Sequence, residues 1–148
     1  MEVKLNKATP ELLKTPPASM SGVVFGTQFS DHMFCMEWED GKGWHNAEIK
    51  PYGPLLMEPS AMVLHYAQMA FEGLKAYRTD SGENVLFRPR ENFKRMNRTA
   101  QRMCLPELDV EEVLDALKQL LRLDSAWVPH ESGTTLYIRP TIVATEEA

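Results

Sequence analysis

Two helical patterns lie back to back in the second half of this chain, and they constrain its fold most. From Pro89 to Cys104, Phe93, Met96, Ala100 and Met103 fall at spacings of three, four and three, which makes one apolar stripe on a helix. Pro89 suits the first turn, where its missing N–H costs nothing, and Pro106 stops the run. Asp109 reads as the N-cap of the next helix, with Glu112 at the position of a capping-box partner. Val110, Val113, Leu114, Leu117, Leu120 and Leu121 then form a broad apolar face.

The remaining patterns are extended. His32 to Trp38 is rich in strand formers, Glu39-Asp40-Gly41-Lys42-Gly43 is turn chemistry, and Trp44 to Tyr52 returns as the partner strand. Pro59-Ser60 precedes a short helix at Ala61–Tyr66, with Ser60 as its candidate N-cap. Leu74–Arg78 and Val85–Arg88 flank a Gly-containing loop and read as a second hairpin. Thr134–Ala144 is rich in β-branched residues and reads as one strand. Hairpins first, two helices next and a strand last predict an α+β fold, an antiparallel-rich sheet with helices packed on it. Residues 1–22 read as an N-terminal arm, since Pro10, Pro16 and Pro17 break regular structure, and 23–148 as one small domain. Thr145-Glu146-Glu147-Ala148 reads as the start of a linker.

Composition narrows the classes. A net charge of −5 argues against a nucleic-acid partner. Cys35 and Cys104 have no metal-ligand spacing and read as two free, mostly buried thiols in a reducing compartment. No apolar run reaches the roughly 18 residues that cross a bilayer, and the N-terminus has no apolar core of a secretory signal, so the expectation is a cytoplasmic protein without a membrane partner.

Several residues are open to two readings. Arg88, Arg90, Arg95, Arg98 and Arg102 crowd into 15 positions. Arg95, Arg98 and Arg102 repeat at helical spacing opposite the apolar stripe, either as a solvated face or as an anion site. Spacing alone favours the solvated face, and it does not choose which arginine would hold an anion. Strand alternation puts Tyr137 and Arg139 on one face, where they read a carboxylate or lie on an exposed edge. Tyr66, Phe71 and Phe25 flank breaks in the pattern, where an aromatic is more ordinarily core than ligand contact. Glu72-Gly73 reads as a tight turn whose glycine admits a close approach.

The stretch Leu64-His65-Tyr66-Ala67-Gln68-Met69-Ala70-Phe71-Glu72-Gly73-Leu74-Lys75-Ala76-Tyr77-Arg78 resembles the small-domain signature of the branched-chain amino acid aminotransferases. Phe25-Gly26, Asp31-His32-Met33, Phe87-Arg88-Pro89, Arg95-Met96, Leu105-Pro106, Trp127-Val128-Pro129 and Leu136-Tyr137-Ile138-Arg139-Pro140 follow in the same order and spacing. The likeness runs from about Val24 to Ala144. It implies the small N-terminal domain of a fold type IV enzyme that uses pyridoxal 5'-phosphate and works as a homodimer. It implies that Arg95 contacts the cofactor phosphate. Tyr137 and Arg139 then lie near the substrate carboxylate, Phe25 and Phe71 line an apolar pocket, and Tyr66 reaches in from the neighbouring subunit.

The resemblance also implies a division of labour. The family's lysine that holds the cofactor covalently sits in the large domain, and none of the eight lysines here matches it. The expectation is a small-domain fragment, inactive by itself, of an enzyme of branched-chain amino acid biosynthesis, acting on leucine, isoleucine or valine with 2-oxoglutarate. Its partners are then a small-molecule substrate and the large domain of the parent. The alternatives are a non-catalytic module docking on the full-length enzyme, or the small domain of a D-amino acid transaminase or aminodeoxychorismate lyase relative.

Overall fold

A computed structural model of the chain describes residues 1–147. In chain order the elements are β1 (Lys4–Leu5), β2 (His32–Glu39), β3 (Gly43–Pro51), α1 (Met62–Tyr66), β4 (Met69–Phe71), β5 (Leu74–Arg78), β6 (Asn84–Leu86), α2 (Pro89–Arg102), α3 (Val110–Leu123), β7 (Leu136–Ile138) and β8 (Thr141–Val143). Sheet pairing is antiparallel throughout, except where β1 runs parallel to β3. The architecture is α+β, as the order of patterns predicts.

The apolar stripes do what their spacing requires. Phe93, Met96 and Ala100 on α2 are buried against Val113, Leu114, Leu117 and Leu121 of α3, and this core continues into Ala70, Leu74, Ala76 and Ile142 of the strands. Truncating Phe93 in such a core costs about 3–5 kcal/mol. Arg78 fastens the sheet to the segment after α3, its guanidinium donating to the carbonyls of Ser125 and Val128. A second fastening is the buried His32–Asp124 pair, with Nδ1 2.6 Å from the carboxylate. His32 Nε2 accepts from the Ala8 N–H at 2.9 Å, so the ring proton sits on Nδ1.

Several expectations change. The arm is tied down along its length: β1 joins the first sheet, and the Lys14 N–H donates to Asp31. Helix α2 ends at Arg102 instead of Cys104, because Cys104 turns left-handed (φ 54°) and the Leu105 N–H closes onto the Ala100 carbonyl. Asp109 does cap α3, accepting from the N–H groups of Glu111 and Glu112. The Glu112 carboxylate pairs with the Met1 amine, which replaces the expected capping box. Ser60 caps nothing, since α1 starts after Ala61 and has no side-chain cap. Cys35 is half-buried and Cys104 is exposed; both are free. The linker reading fails for residues 145–147, because the Met62 N–H donates to the Glu146 carbonyl and Glu147 bridges to Ala61. Ala148 lies outside the described residues.

The expected single strand at Thr134–Ala144 is interrupted. Pro140 has no N–H to give to a ladder, so β7 and β8 separate around Arg139-Pro140. The partner strand separates opposite, at Glu72-Gly73. The register nevertheless holds across the gap. Met69 pairs with Val143 and Leu74 with Ile138, so five residues forward on one side match five back on the other. The Glu72 N–H still donates to the Pro140 carbonyl at 3.0 Å. One continuous antiparallel ladder therefore opens at a single place.

Candidate functional site

The opening in the ladder is where the sequence-predicted residues gather. Tyr137 and Arg139 flank it on one side, Phe71 on the other. Arg139 donates through Nη2 to the Tyr137 hydroxyl at 2.9 Å. Its guanidinium carbon also lies 4.5 Å from the Phe71 ring centroid and 5.2 Å from that of Tyr137. Cation–π contact of this kind is worth about 0.5–1 kcal/mol where water reaches it, enough to orient the fork. Phe25 meets Tyr137 edge to face, with ring centroids 5.0 Å apart.

The core reading of the aromatics is thereby overturned. Phe25 is 73% exposed, Phe71 55% and Tyr66 68%. Phe25 and Phe71 form an apolar surface beside a cation, not part of the interior. Tyr66 shares none of these contacts. It ends α1, with only His65 among aromatic neighbours, at 6.4 Å. The structure brings Phe25, Phe71, Tyr137 and Arg139 together and leaves Tyr66 apart.

Gly73 forms the floor between them. A Cβ built on it would lie 2.1 Å from the Tyr137 hydroxyl, so no larger residue fits while Tyr137 keeps its place. The close approach expected at this glycine is made by a tyrosine side chain. The Gly73 peptide bonds to side chains: its carbonyl accepts from Asn92 Nδ2 at 3.2 Å, and its N–H donates to Glu72 Oε2 at 3.3 Å.

Arg95 on α2 grips Glu72, the residue that follows Phe71. Its Nε and Nη2 each donate to Glu72 at 2.6 Å, one to each carboxylate oxygen. Asn92, one helical turn earlier, adds an N–H to Glu72 Oε2 at 3.3 Å. Glu72 is buried while the Arg95 side chain is 58% exposed. The Arg95 guanidinium holds the Glu72 carboxyl below the usual carboxylate range, outweighing the burial that pushes it up. In return Glu72 raises the guanidinium. Arg98 and Arg102 stay on the exposed face without a carboxylate partner among the described residues.

Reading the sequence missed Glu72 and Asn92 as members of the site. The usable signal was on α2, where Asn92 and Arg95 stand three residues apart and present donors on one face. Their acceptor had been absorbed into the turn reading of Glu72-Gly73. Chemically, the cluster offers the Arg139 fork, a phenol and apolar walls, and Arg95 joins it only through Glu72 and its neighbour Asn92. That set suits a small anion with an apolar side chain. Among the described residues there is no group of three or more His, Cys, Asp or Glu side chains able to hold a metal, and no helix is long and apolar enough to cross a membrane.

Known proteins resemble this chain over most of its length. No family model matches the chain. It is 55% identical over 133 residues to branched-chain-amino-acid transaminase 1 of Bacillus subtilis, covering 90% of this chain and 36% of that protein. It is 48% identical over 139 residues to the cytosolic branched-chain-amino-acid aminotransferase of Saccharomyces cerevisiae, covering 94% and 37%. Among solved structures, the branched-chain amino acid aminotransferase of Escherichia coli superposes with a TM-score of 0.55 at 27% identity, over 67% of this chain and 31% of that one. A second branched-chain amino acid aminotransferase, solved with pyridoxamine 5'-phosphate, gives 0.57 at 25%, over 77% and 32%. The chain spans a little over a third of the length of the curated relatives it matches.

Proposed function

We propose, from the premise that this chain belongs to the branched-chain aminotransferase family, that it forms the small-domain side of a transaminase site. The enzyme would exchange an amino group between leucine, isoleucine or valine and 2-oxoglutarate. One observation carries the reading: Phe25, Phe71, Tyr137 and Arg139 meet at the opening of an otherwise continuous ladder, where Glu72, next to Phe71, anchors Arg95.

The residues fit pyridoxal 5'-phosphate at its phosphate end. Arg95 points a partly exposed guanidinium outward, with donors left over for an anion. When bound, the cofactor supplies the electron sink and carries the amino group. The chain's own residues bind and orient. Arg139 and the Tyr137 hydroxyl take the substrate carboxylate, with Arg139 pre-aimed by the two rings beneath it. Phe25 and Phe71 take the branched side chain. An apolar wall distinguishes substrates by only about 1–3 kcal/mol per methylene, so preference among the three branched acids is mild. Tyr66, exposed and apart, is assigned to the site of a second subunit. The assembled enzyme is a cytoplasmic homodimer completed by a large domain. The 148 residues alone, with no lysine in the family's cofactor-holding context, do not turn leucine over.

Arg139→Ala in the complete enzyme tests the reading. Loss of a charged fork raises KM for leucine at least about tenfold, while the visible cofactor absorbance is kept. An unchanged KM removes Arg139 from the substrate site and the proposal with it.

A further inference from the structure

Arg95 is held by one edge only. A guanidinium carries five N–H groups. Glu72 takes the Nε–H and one of the two on Nη2, at 2.6 Å each. Both N–H groups of Nη1 and the second of Nη2 have no partner among the described residues. One from each nitrogen points the same way and forms a second fork, on the edge next to the one Glu72 occupies. Two parallel N–H donors at that spacing match two oxygens of a phosphate.

The grip itself is rigid. Glu72 is buried, its carboxylate is braced by Asn92 Nδ2 and the Gly73 N–H, and its own N–H is fixed on the Pro140 carbonyl. Arg98 and Arg102 present the same chemistry from the same helix with no such clamp among the described residues. An unclamped arginine must give up several rotatable bonds on meeting an anion; a clamped one has already given them up.

We propose that Glu72 is a positioning residue: by gripping one edge of Arg95 it turns the free edge into a preorganised two-pronged receptor for the cofactor's phosphate. The inference rests on the functional reading above for the identity of that phosphate. Two effects oppose one another here. Glu72 partly cancels the charge that attracts an anion, and it fixes the fork that receives one. The bidentate geometry and the buried brace make fixation the larger effect.

The measurement is an absorbance titration of the complete enzyme, stripped of cofactor, with pyridoxal 5'-phosphate and separately with pyridoxal, which has no phosphate. Glu72→Gln keeps the shape and loses one prong of the grip. It is expected to raise the Kd for pyridoxal 5'-phosphate about tenfold and to leave the Kd for pyridoxal within about twofold. A merely structural role would weaken both. Asn92→Ala removes the brace without touching Arg95 and serves if Glu72→Gln does not fold. Its expected effect is smaller, about threefold, with the same selectivity for the phosphorylated form. Unchanged or tighter binding of pyridoxal 5'-phosphate in these variants, or equal loss for both ligands, overturns the proposal. Arg95→Lys separates the two readings. If it leaves pyridoxal 5'-phosphate affinity intact, the phosphate assignment of Arg95 fails. If it weakens binding while the Glu72 and Asn92 variants do not, only the positioning role fails.

Discussion

Helix α2 carries two arginine–glutamate forks five residues apart, and they do different work. Arg90 meets Glu111 of α3 with Nε–Oε1 at 2.6 Å and Nη2–Oε2 at 2.8 Å. Arg95 meets Glu72 with both distances at 2.6 Å. The arginines are about equally exposed, 53% and 58%. The carboxylates are not: Glu111 is 61% exposed and Glu72 5%. The same hydrogen bonds therefore have different alternatives. Water replaces Arg90 readily, since an open ion pair gains little over two solvated ions. Nothing replaces Arg95 fully, because a buried carboxylate that loses its partner keeps its desolvation cost. The environment of the acceptor, not the geometry of the fork, decides which pair the fold depends on.

The largest expected effect is on thermal stability. Arg95→Met strands the Glu72 carboxylate with only Asn92 and one backbone N–H, and should lower Tm by about 5 °C in a circular dichroism melt. Arg90→Met should give no resolvable change. Equal shifts in the two variants would break the comparison.

Acid offers a second, smaller separation. The folded-state pKa of Glu72 lies below its ordinary value of 4.5, so the pairing stabilises the fold above that value and the benefit is lost as pH falls through the lower one. The stability gap between the natural chain and Glu72→Gln should stay constant from pH 7 to about 5 and close below pH 4.5. Chemical denaturation at stepped pH measures it, and a gap that does not narrow as pH falls below 4.5 would mean that the charge on Glu72 is not what matters. The smallest effect is that of salt. Raising it to about 1 M shortens the screening length to about 3 Å and should abolish the coupling between Arg90 and Glu111 in a double-mutant cycle, while that between Arg95 and Glu72 persists.

Much of this organisation was legible in the residues, for identifiable reasons. The stripe Phe93, Met96 and Ala100 announced the buried face of α2 because helical period and burial are locked together. Tyr137 and Arg139 were placed on one face by strand alternation, and they touch. What stayed hidden depends on contacts between distant segments. Nothing local distinguishes Glu72 from a turn glutamate; its partners come from α2, some 20 residues on. The exposure of Phe25 and Phe71 was equally hidden, since an aromatic beside a break looks the same facing inward or outward. Helix α2 ends at Arg102, two residues before the expected Cys104, because Cys104 turns left-handed, a conformation its residue type seldom adopts.

The unbroken register across the gap between β4–β5 and β7–β8 has a mechanical consequence. A zip with one tooth missing still runs true on either side, so the gap costs neither flanking ladder its register. The Gly73 peptide is lent to Asn92 and Glu72 instead of to the opposite strand. With those contacts in place and both flanking zips shut, a molecule seated beside the gap need not loosen the frame.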